Sequence, residues 1–412
     1  MLSADGRALP ERVTCLIAGG GPAGMMLGVL LARAGVEVCV LEKHADFLRD
    51  FRGDTVHPST LEVLHEMGVL DAFLERPHQE VRVLRGRVGT RELTLADFSH
   101  LPTRCRFIAF MPQWDFLDFL AAEGRRHPGF HLAMETEVVD LVQSGDRVVG
   151  FRALQRGREV ELFADLSIGA DGRGSVVRAR AGLPRRELGA PIDVLWLRLP
   201  KADGDPSVPL GRVVPGRVFI TLDRGDYWQC AFVIAKGGLD TMKARGLPAF
   251  RDEIVRAAPE LRDRVGALDD WDDVKLLTVK VDRLERWWRD GLLCIGDAAH
   301  AMSPIGGVGI NLAIQDAVAA ANRLAIPLGS GSVTAGDLDA VQRRRAWPTR
   351  VTQAVQVLLQ DQVIRRVLDQ DRDQPLHVPL PLRALDRWPR LRRLPARLIG
   401  LGARPEHLRQ KG

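Results

Sequence analysis

The sequence predicts an α/β fold in which a Rossmann-like domain is interrupted by an antiparallel sheet and followed by helices. A strand, a glycine-rich turn, a helix and a second strand follow one another within residues 13–42, and this alternation is typical of a parallel sheet. Residues 191–280 instead hold short strand patterns separated by Gly, Pro and Asp turns, which favour antiparallel pairing. From residue 341 the pattern is helical and is interrupted by prolines.

The first of these units predicts a phosphate-binding turn. The apolar run 13–18 is typical of a central parallel strand, and it leads into Gly19-Gly20-Gly21-Pro22-Ala23-Gly24, a helix that Gly35 ends, and a strand over 36–41. The first glycine of such a turn permits the bend, the second lets the backbone approach a pyrophosphate, and the third lets the helix pack on the strand. The free N–H groups of the helix attract phosphates. We expect a dinucleotide in contact with Gly19, Gly21, Pro22, Ala23 and Gly24.

The acid at the end of the second strand selects among dinucleotides. Glu42 can accept hydrogen bonds from both ribose hydroxyls. It would repel a 2′-phosphate by roughly 3 kcal/mol per charge pair at about 5 Å and an effective dielectric constant of about 20. The site therefore fits FAD or NAD and does not fit NADP.

Two further motifs favour FAD over NAD. One strand runs into Ala170-Asp171-Gly172-Arg173, and another runs into Gly296-Asp297, followed by the loop from Pro304 to Asn311. A NAD-binding domain needs neither. Asp297 at a strand end can accept hydrogen bonds from a polyol such as ribitol. The turn Gly306-Gly307-Val308-Gly309 before a helix offers donors to the ring edge where reduced flavin carries negative charge. The three segments together predict bound FAD and redox chemistry.

With these motifs in this order the chain resembles the single-component FAD-dependent aromatic hydroxylases, the group A flavoprotein monooxygenases, over about residues 11–340. These enzymes share the fold of para-hydroxybenzoate hydroxylase and include the ubiquinone-biosynthesis hydroxylases. The resemblance implies that NADH or NADPH docks transiently and reduces FAD, and that molecular oxygen then gives an electrophilic flavin C4a-hydroperoxide. It implies as substrate an electron-rich aromatic small molecule, phenolic or polyketide-like, which is hydroxylated.

The resemblance also assigns residues to the cofactor. It links Asp171 and Gly172 to both FAD and NAD(P)H, and it places the loop from Pro304 to Asn311 along the isoalloxazine ring. It implies that Arg52 reaches the pyrophosphate and that Gln113 contacts the ADP-ribose. The predicted cofactor contacts are Gly19, Gly21, Pro22, Ala23, Gly24, Glu42, Lys43, Arg52, Gln113, Asp171, Gly172, Gly296, Asp297, Pro304, Gly307, Gly309, Ile310 and Asn311.

Three residues are predicted as catalytic: Pro304 in the ring loop, His57 and Tyr227. His57 either faces the flavin or only precedes the helix that Ser59 and Thr60 begin. The para-hydroxybenzoate enzyme uses tyrosines to ionise its phenol, whereas this chain has one tyrosine, Tyr227. Either a histidine assists the ionisation here, or the substrate reacts without a protein base. The alternative for Tyr227 is an ordinary strand aromatic.

The domain prediction follows from these segments. Residues 11–80, 104–190 and 281–340 are expected to form the FAD-binding domain, residues 81–103 and 191–280 the substrate domain, and residues 341–412 a C-terminal helical segment. A dehydrogenase or reductase on the same fold stays open, because the FAD motifs do not encode the fate of oxygen. Trp287-Trp288 does not match the Trp-x-Trp-x-Ile-Pro segment of halogenases, which argues against that activity.

Composition and charge limit the kinds of partner and the location that the sequence predicts. The hydrophobic and charged fractions, 46% and 27%, are ordinary for a globular protein, and no apolar run is long enough to span a bilayer. Together with the polar N-terminus this predicts a cytoplasmic protein, as a monomer or homodimer without a nucleic acid partner. The five cysteines lack CxxC spacing and are expected in the core rather than in disulfides or metal sites.

The C-terminal part of the chain is basic. From residue 341 it holds 16 Lys/Arg against 6 Asp/Glu. This surplus either solvates short helices and helps to hold anionic cofactors, or it contacts an anionic membrane surface. Residues 391–408 accordingly either dock onto the FAD-binding domain or rest on such a surface.

Overall fold

The structure is a computed structural model that describes residues 10–48, 55–205, 210–370 and 378–409. Arg52, the predicted pyrophosphate contact, lies outside the described residues. The strands, in chain order, are β1 Arg12–Ala18, β2 Val38–Leu41, β3 Thr55–Val56, β4 Gln79–Val81, β5 Val83–Val88, β6 Arg91–Asp97, β7 Ile108–Phe110, β8 Phe130–Ala133, β9 Thr136–Ser144, β10 Arg147–Gln155, β11 Arg158–Gly169, β12 Arg185–Glu187, β13 Ile192–Pro200, β14 Leu210–Val214, β15 Arg217–Asp223, β16 Tyr227–Ala235, β17 Lys275–Leu277, β18 Asp282–Leu284, β19 Trp288–Arg289 and β20 Leu292–Cys294. The helices are α1 Pro22–Arg33, α2 Pro58–Glu66, α3 Leu70–Leu74, α4 Gln113–Gly124, α5 Val176–Arg180, α6 Leu239–Ala244, α7 Leu247–Ala257, α8 Val308–Gly329, α9 Ala335–Leu359, α10 Arg365–Leu368, α11 Leu380–Arg387 and α12 Arg393–Gly400.

The main sheet is parallel at its centre. Strands β20, β11, β1, β2 and β8 lie side by side in that order and run in one direction. β1 can occupy the centre because it has no polar face: Leu16 and Ile17 are fully buried. Ala18 lies beside both Leu41 and Gly169 in this register. The segments that follow β1, β2, β11 and β20 therefore leave the sheet at one edge.

Helix α1 covers one face of the main sheet and packs against α4 and α8. Pro22 suits its first turn, where the backbone N–H would have no partner within the helix. Every residue from Ala23 to Ala32 is buried. Gly35 then adopts a φ of +85°, the left-handed conformation with which helices commonly end. The βαβ unit predicted from the sequence is confirmed.

The second sheet has the strand order β17-β13-β16-β15-β14-β5-β6. Its neighbours are antiparallel except β14 and β5, which are parallel, so the expectation of a wholly antiparallel insert needs this correction. A hairpin enforces antiparallel pairing, but β5 and β14 come from distant parts of the chain and no short turn joins them. On one face of this sheet Leu195, Leu197 and Phe232 pack against Phe250 and Ile254 of α7.

Residues 79–97, most of which were predicted as part of the substrate domain, are divided between two sheets in the structure. β5 and β6 form a hairpin whose turn contains Gly89, with a φ of +59°. β4 instead pairs with β7, which also pairs with β3, in a separate small sheet. A positive φ favours glycine, which explains why the chain reverses at this position.

The C-terminal helices begin earlier than predicted. α9 starts at Ala335 rather than at residue 341, because Thr334 and Asp337 form a capping box there. The Thr334 hydroxyl accepts the N–H of Asp337 at 3.3 Å, and the Asp337 carboxylate accepts the N–H of Thr334 at 2.9 Å. Two orphan donors of the helix start are thereby satisfied.

Part of the segment 391–408 docks on the protein's own core. Ala396 and Leu401 are buried in a cluster with Phe98. Leu394 of the same segment is exposed, and contact of residues 391–408 with a membrane surface stays a prediction. Among the described helices, none combines the length and the apolar character required to cross a membrane. All five cysteines lie in described segments, where each is buried and none forms a disulfide.

Candidate active site

The glycine-rich turn after β1 is shaped by close backbone contacts. Gly19 has a φ of +105°, and a Cβ there would collide with the carbonyl of Ala170. A Cβ at Gly24 would collide with the carbonyl of Gly19. Gly21 differs, since its φ of −74° suits any residue and its Cβ direction has no atom within 4 Å. The turn thus keeps an open approach beside the N-terminus of α1, where no side chain caps the N–H groups.

Glu42 lies at the same edge, directly after β2, and is 8% exposed. Its Oε2 accepts a hydrogen bond from the N–H of Gly20 at 3.0 Å, and its Oε1 accepts one from the N–H of His44 at 3.1 Å. Each carboxylate oxygen has a second lone pair. The carboxylate is therefore fixed in place at the edge where the sequence predicts a ribose. The neighbouring Lys43 is exposed.

The Asp171 side chain turns toward its own helix. Its carboxylate accepts hydrogen bonds from the Ser175 hydroxyl at 2.5 Å and from the N–H of Val177 at 3.1 Å, and Ser175 caps α5. Burial raises the pKa of Asp171, and these hydrogen bonds offset the rise only in part. Asp171 shapes the turn that contains Gly172, and direct contact of either residue with a cofactor stays a prediction.

The turn after β20 is the meeting point of two helices. Gly296 has a φ of +59°, and a Cβ there would lie 3.0 Å from the Cβ of Ala23 in α1 and 3.2 Å from that of Ala313 in α8. Only glycine lets both helices approach this turn. Asp297 follows, with Oδ2 3.6 Å from Nη2 of Arg173. This pair links the second and third sequence motifs.

The loop over residues 304–311, here called the ring loop, leads into α8. Pro304 precedes a 3-10 turn over Ile305–Gly307, in which Gly306 and Gly307 have φ values of +77° and +63°. Gly307 occupies the N-cap position of α8, and no side chain caps that helix. The loop therefore lies beside uncapped N–H groups and the positive end of a long helix. Gly309 and Ile310 belong to the first turn of α8.

Asn311 ties the ring loop to the segment before α2. Its Oδ1 accepts hydrogen bonds from the N–H of His57 at 3.0 Å and from the hydroxyl of Thr60 at 2.7 Å. Its Nδ2 donates to the carbonyl of Gly307 at 3.4 Å. Since the amide is engaged on both sides, Asn311 holds the loop, and its contact with a flavin stays a prediction.

The ring of His57 is buried between the ring loop and α12. Nδ1 lies 2.7 Å from the carbonyl oxygen of Ile399, and Nε2 lies 3.2 Å from Oγ1 of Thr55. Burial lowers the pKa of His57 to about 4, with the hydrogen bond to Ile399 opposing, so the ring is neutral at pH 7. α2 begins at Pro58, so His57 does precede a helix. A Cβ at Gly307 would also lie 3.4 Å from Nε2, so the ring supports the loop as well.

These residues fit an extended flavin dinucleotide. Glu42 offers acceptors to a ribose, the open approach at Gly21 and the free N–H groups of α1 suit phosphates, and the positive end of α8 suits the flavin ring. Nη1 of Arg173 is a buried donor that finds no partner among the described residues. No cluster of three or more His, Cys, Asp or Glu able to hold a metal occurs in the described parts of the chain.

Comparison with known proteins decides the identity of the site. A family model described as an FAD binding domain matches residues 12–355. This chain belongs to the FAD-dependent aromatic hydroxylase family. It is 36% identical over 345 residues to a Streptomyces rimosus protein named 6-methylpretetramide 4-monooxygenase. The aligned residues cover 83% of this chain and 82% of that protein.

Other members of the family are longer. The chain is 28% identical over 337 residues to a Bacillus subtilis protein named as an uncharacterized aromatic compound monooxygenase, and it spans 64% of that protein's length. Among solved structures, p-nitrophenol 4-monooxygenase from Pseudomonas putida DLL-E4 matches with a TM-score of 0.74 and 20% identity, over 94% of this chain and 91% of that one. At this identity the match shows the fold alone. The predictions of the α/β fold class, of FAD and of a monooxygenase-type flavoenzyme are confirmed.

Two further predicted site residues each stand at the start of an element. Tyr227 begins β16, opposite Pro200, and the guanidinium of Arg198 lies 4.9 Å from its ring centre. Gln113 begins α4, with Pro112 as the N-cap. The roles assigned to both residues stay predictions.

The second sheet presents an apolar face to the ring loop. Trp196, Ile220 and Ala231 form one row on this face, across β13, β15 and β16, and Ile305 of the ring loop packs against the same face. Gly211 of β14 extends the row, and its Cβ direction has no atom within 4 Å. This floor beside the ring loop therefore combines two bulky side chains, Trp196 and Ile220, with two positions of little bulk, Gly211 and Ala231.

One end of this floor is polar. Arg198 and Gln229 are paired across β13 and β16, two residues along from Trp196 and Ala231, and so lie on the same face. Nε of Arg224 donates to Oε1 of Gln229 at 2.9 Å. Guanidinium and amide groups are suitable partners for phenolic or enolic oxygens.

Sequence reasoning missed a buried ionic network behind the site. Asp316 of α8 lies 2.5 Å from Nε2 of His300 and 2.9 Å from Nε of Arg345, and all three side chains are 0–1% exposed. Burial by itself would raise the pKa of Asp316, but His300 and Arg345 outweigh it and hold the pKa below its usual value. The sequence does contain one indication of this network, because Asp316 lies within an alanine-rich helix that packs in the core. A carboxylate that is buried in this way requires charged or hydrogen-bonding partners.

Sequence reasoning also missed a basic cleft next to the second motif. The cleft has a volume of about 350 Å³. All of its ionisable lining residues are cationic: Arg173, Arg178, Arg185 and Lys280. Arg178 and Arg185 each lie 3.4 Å from the carboxylate of Asp282, whereas Lys280 is exposed and pairs with no described acid. The cleft therefore favours an anionic ligand.

Proposed function

We propose that this flavoenzyme hydroxylates an electron-rich aromatic ring of a flat, fused-ring phenolic molecule, with NAD(P)H and molecular oxygen as co-substrates. The observation that carries the proposal is the apolar sheet face, with Gly211 and Ala231 in its row, lying beside the ring loop. The open position at Gly211 leaves room on this face for a broad planar ligand. The relative with 36% identity is named 6-methylpretetramide 4-monooxygenase, which supports a monooxygenase reaction here.

The chain's own residues position and polarise the reactants. Bound FAD supplies the two-electron redox and oxygen chemistry. The N-terminal N–H groups of α1 and α8 supply positive potential at two ends of the site, and Glu42 fixes a ribose. Overall, one oxygen atom enters the ring as a hydroxyl, the other leaves as water, and NAD(P)H supplies the two electrons.

The polar end of the sheet face is proposed to hold the substrate's oxygen atoms. Arg198 is a permanent cation and favours the ionised form of a phenol or enol. A phenolate is more electron-rich than a phenol and reacts faster with an electrophile. This assigns to Arg198 the part that tyrosines play in the para-hydroxybenzoate enzyme, with Tyr227 as the support of its guanidinium.

The basic cleft is proposed as the docking site of NAD(P)H. Its four cations suit the pyrophosphate of the donor, and Arg173, which lines it, also lies beside Asp297 at the flavin site. A ligand in the cleft is thus close to the cofactor turn without a Rossmann unit of its own. Transient docking through charge is consistent with a donor that must leave after each turnover.

The deciding experiment follows labelled oxygen. The FAD-loaded protein is incubated with NADH or NADPH and a panel of monocyclic and fused-ring phenols under ¹⁸O₂. We expect one ¹⁸O atom in the product and one equivalent of NAD(P)H consumed per product formed. Consumption of NAD(P)H with only hydrogen peroxide formed across the whole panel would contradict hydroxylation of these phenols and indicate oxidation of NAD(P)H by oxygen alone. Substrate conversion without oxygen would contradict hydroxylation and favour a dehydrogenase or reductase.

A further inference from the structure

The last described residues, 399–409, form what we call the C-terminal strap. The strap packs closely against the start of α2, where a Cβ at Gly400 would lie 3.3 Å from Pro58. Its end is fixed by Glu66 at the other end of α2. Oε1 of Glu66 lies 2.5 Å from Nδ1 of His407, and Oε2 accepts the N–H of Leu408 at 2.7 Å. The strap therefore has a defined path along α2.

The strap reaches the ring loop through His57. The Ile399 carbonyl can only accept, so Nδ1 of His57, 2.7 Å away, carries the ring proton and Nε2 carries the lone pair. The Thr55 hydroxyl lies 3.2 Å from Nε2 and 3.3 Å from the carbonyl oxygen of Gly307, and it donates its single proton to one of these acceptors at a time. A Cβ at Gly307 would lie 2.6 Å from Oγ1 of Thr55. The ring loop thus rests on Thr55 and His57, whose orientation the strap fixes.

The strap reaches the turn after β20 by a second route. Oε1 of Glu406 lies 2.7 Å from Nε of Arg344 and 3.2 Å from Nη1 of Arg345. Nε of Arg345 lies 2.9 Å from Oδ1 of Asp316. Oδ2 of Asp316 accepts the backbone N–H of Gly296 at 3.1 Å. A chain of charged contacts therefore joins the strap to Gly296, beside the predicted ribityl contact Asp297.

Burial makes this second route sensitive to each of its members. Arg345 and Asp316 are fully buried, and Glu406 is 5% exposed. Removal of one charge from a buried network leaves its partners uncompensated, which costs more than the same change at the surface. The backbone of the strap is also held by hydrogen bonds. Nη1 of Arg345 donates to the carbonyl of Arg404 at 3.1 Å, and the N–H of Glu406 donates to the side chain of Gln315.

We propose that the C-terminal strap is a positioning element of the flavin site. It holds the ring loop through His57 and the Gly296–Asp297 turn through Glu406, and both residues act as positioning residues for FAD. Detachment of the strap weakens FAD binding, and by reciprocity FAD binding tightens the strap. The proposal rests on FAD binding by this chain and not on hydroxylation.

The first experiment removes one charge from the strap. Glu406→Gln keeps the side-chain shape, and we expect the dissociation constant for FAD, measured by flavin fluorescence, to rise about tenfold. The matched control is Arg397→Gln, an exposed charge on α12 without a partner among the described residues, for which no change is expected. An unchanged dissociation constant in Glu406→Gln, with an equal fall in melting temperature with and without FAD, would overturn the proposal.

The second experiment uses the unaltered chain, so it does not depend on a variant that folds. Amide hydrogen exchange of residues 399–409 is measured with and without FAD. We expect FAD to slow exchange several-fold at Glu406 and Leu408, whose N–H groups bond to Gln315 and Glu66. Identical exchange in the two states would refute the coupling. A chain that binds FAD but hydroxylates no substrate leaves this proposal intact, whereas absence of FAD binding in the unaltered chain overturns both.

Discussion

The carboxylate of Asp316 accepts a hydrogen bond from the backbone N–H of Gly296 at 3.1 Å. The same carboxylate pairs with His300 and Arg345 in a fully buried site. We expect Asp316→Asn to lower the free energy of unfolding by about 3–5 kcal/mol, because it removes one of the two carboxylates, Asp316 and Glu406, that compensate the buried guanidinium of Arg345. Urea denaturation measures this. Asp339→Asn, which removes an exposed pair with Arg343, serves as the control and is expected to cost less than about 1 kcal/mol.

Gly21→Ala is expected to impair FAD binding without harming the fold. Its backbone conformation suits alanine, and the new methyl group meets no protein atom within 4 Å. Only a phosphate at the N-terminus of α1 would meet it. We expect a loss of FAD affinity of at least tenfold by fluorescence titration, with the stability of the FAD-free protein changed by less than about 1 kcal/mol. Gly266→Ala, also open within 4 Å, is the control; equal FAD affinity in both variants would refute the assignment.

Gly211→Val is expected to discriminate between substrates by size. The side chain would extend into open space on the sheet face beside the ring loop. Fused-ring phenols should lose binding, seen as a rise in KM of about tenfold, while monocyclic phenols and FAD bind as before. A uniform effect on all substrates, or none, would argue that the substrate does not lie on this face.

Lys280→Glu is expected to weaken docking of NAD(P)H. The change places a negative charge in a cleft whose other charged lining residues are Arg173, Arg178 and Arg185. The KM for the donor should rise about tenfold or more, and its dependence on salt should become weaker. Lys243→Glu on α6, outside the cleft, provides the control. A rise in KM of the same size there would mean that overall charge, and not the cleft, controls docking.

Stability should fall between about pH 6.5 and pH 4 because of His57. Burial lowers the pKa of His57 to about 4, whereas the ring in the unfolded chain titrates near 6.5. The unfolded state binds a proton in this interval and the folded state does not, so acidification favours unfolding, by up to about 3 kcal/mol at the lower limit. His57→Gln removes this contribution. The difference in melting temperature between the two proteins should therefore depend on pH below 6.5 and be constant above it; a difference that is the same at pH 5 and pH 7.5 would contradict the assignment.

Local patterns were sufficient to predict the cofactor turns. The run 13–18 and the glycines that follow it require a buried strand and a tight bend wherever they occur, because few other conformations are open to them. Structure confirms that bend and adds the register that brings Gly19, Glu42, Ala170 and Gly296 to one edge. The capping box at Thr334 was equally readable, and the start of α9 was nevertheless predicted six residues late.

Side-chain partners were not predictable from the same patterns. Asp171 accepts hydrogen bonds from Ser175 and Val177, which its spacing in the sequence did not indicate, and its contact with a cofactor stays a prediction. His57 could equally have faced a ligand or begun a helix, and its neighbours Ile399 and Gly307 lie hundreds of residues away in the chain. A single side chain can satisfy its hydrogen bonds locally or with a ligand, and sequence spacing does not distinguish these outcomes.

The sequence by itself determined that this chain folds around FAD as a member of the aromatic hydroxylase family, because glycines, strand ends and acids at fixed spacing act over a few residues. Only the tertiary structure decided which distant groups meet. It joined the C-terminal strap to the ring loop through His57 and to Gly296 through Glu406, Arg345 and Asp316. Burial is the physical reason: a charge removed from water must find a partner, and which partner it finds depends on how the whole chain packs.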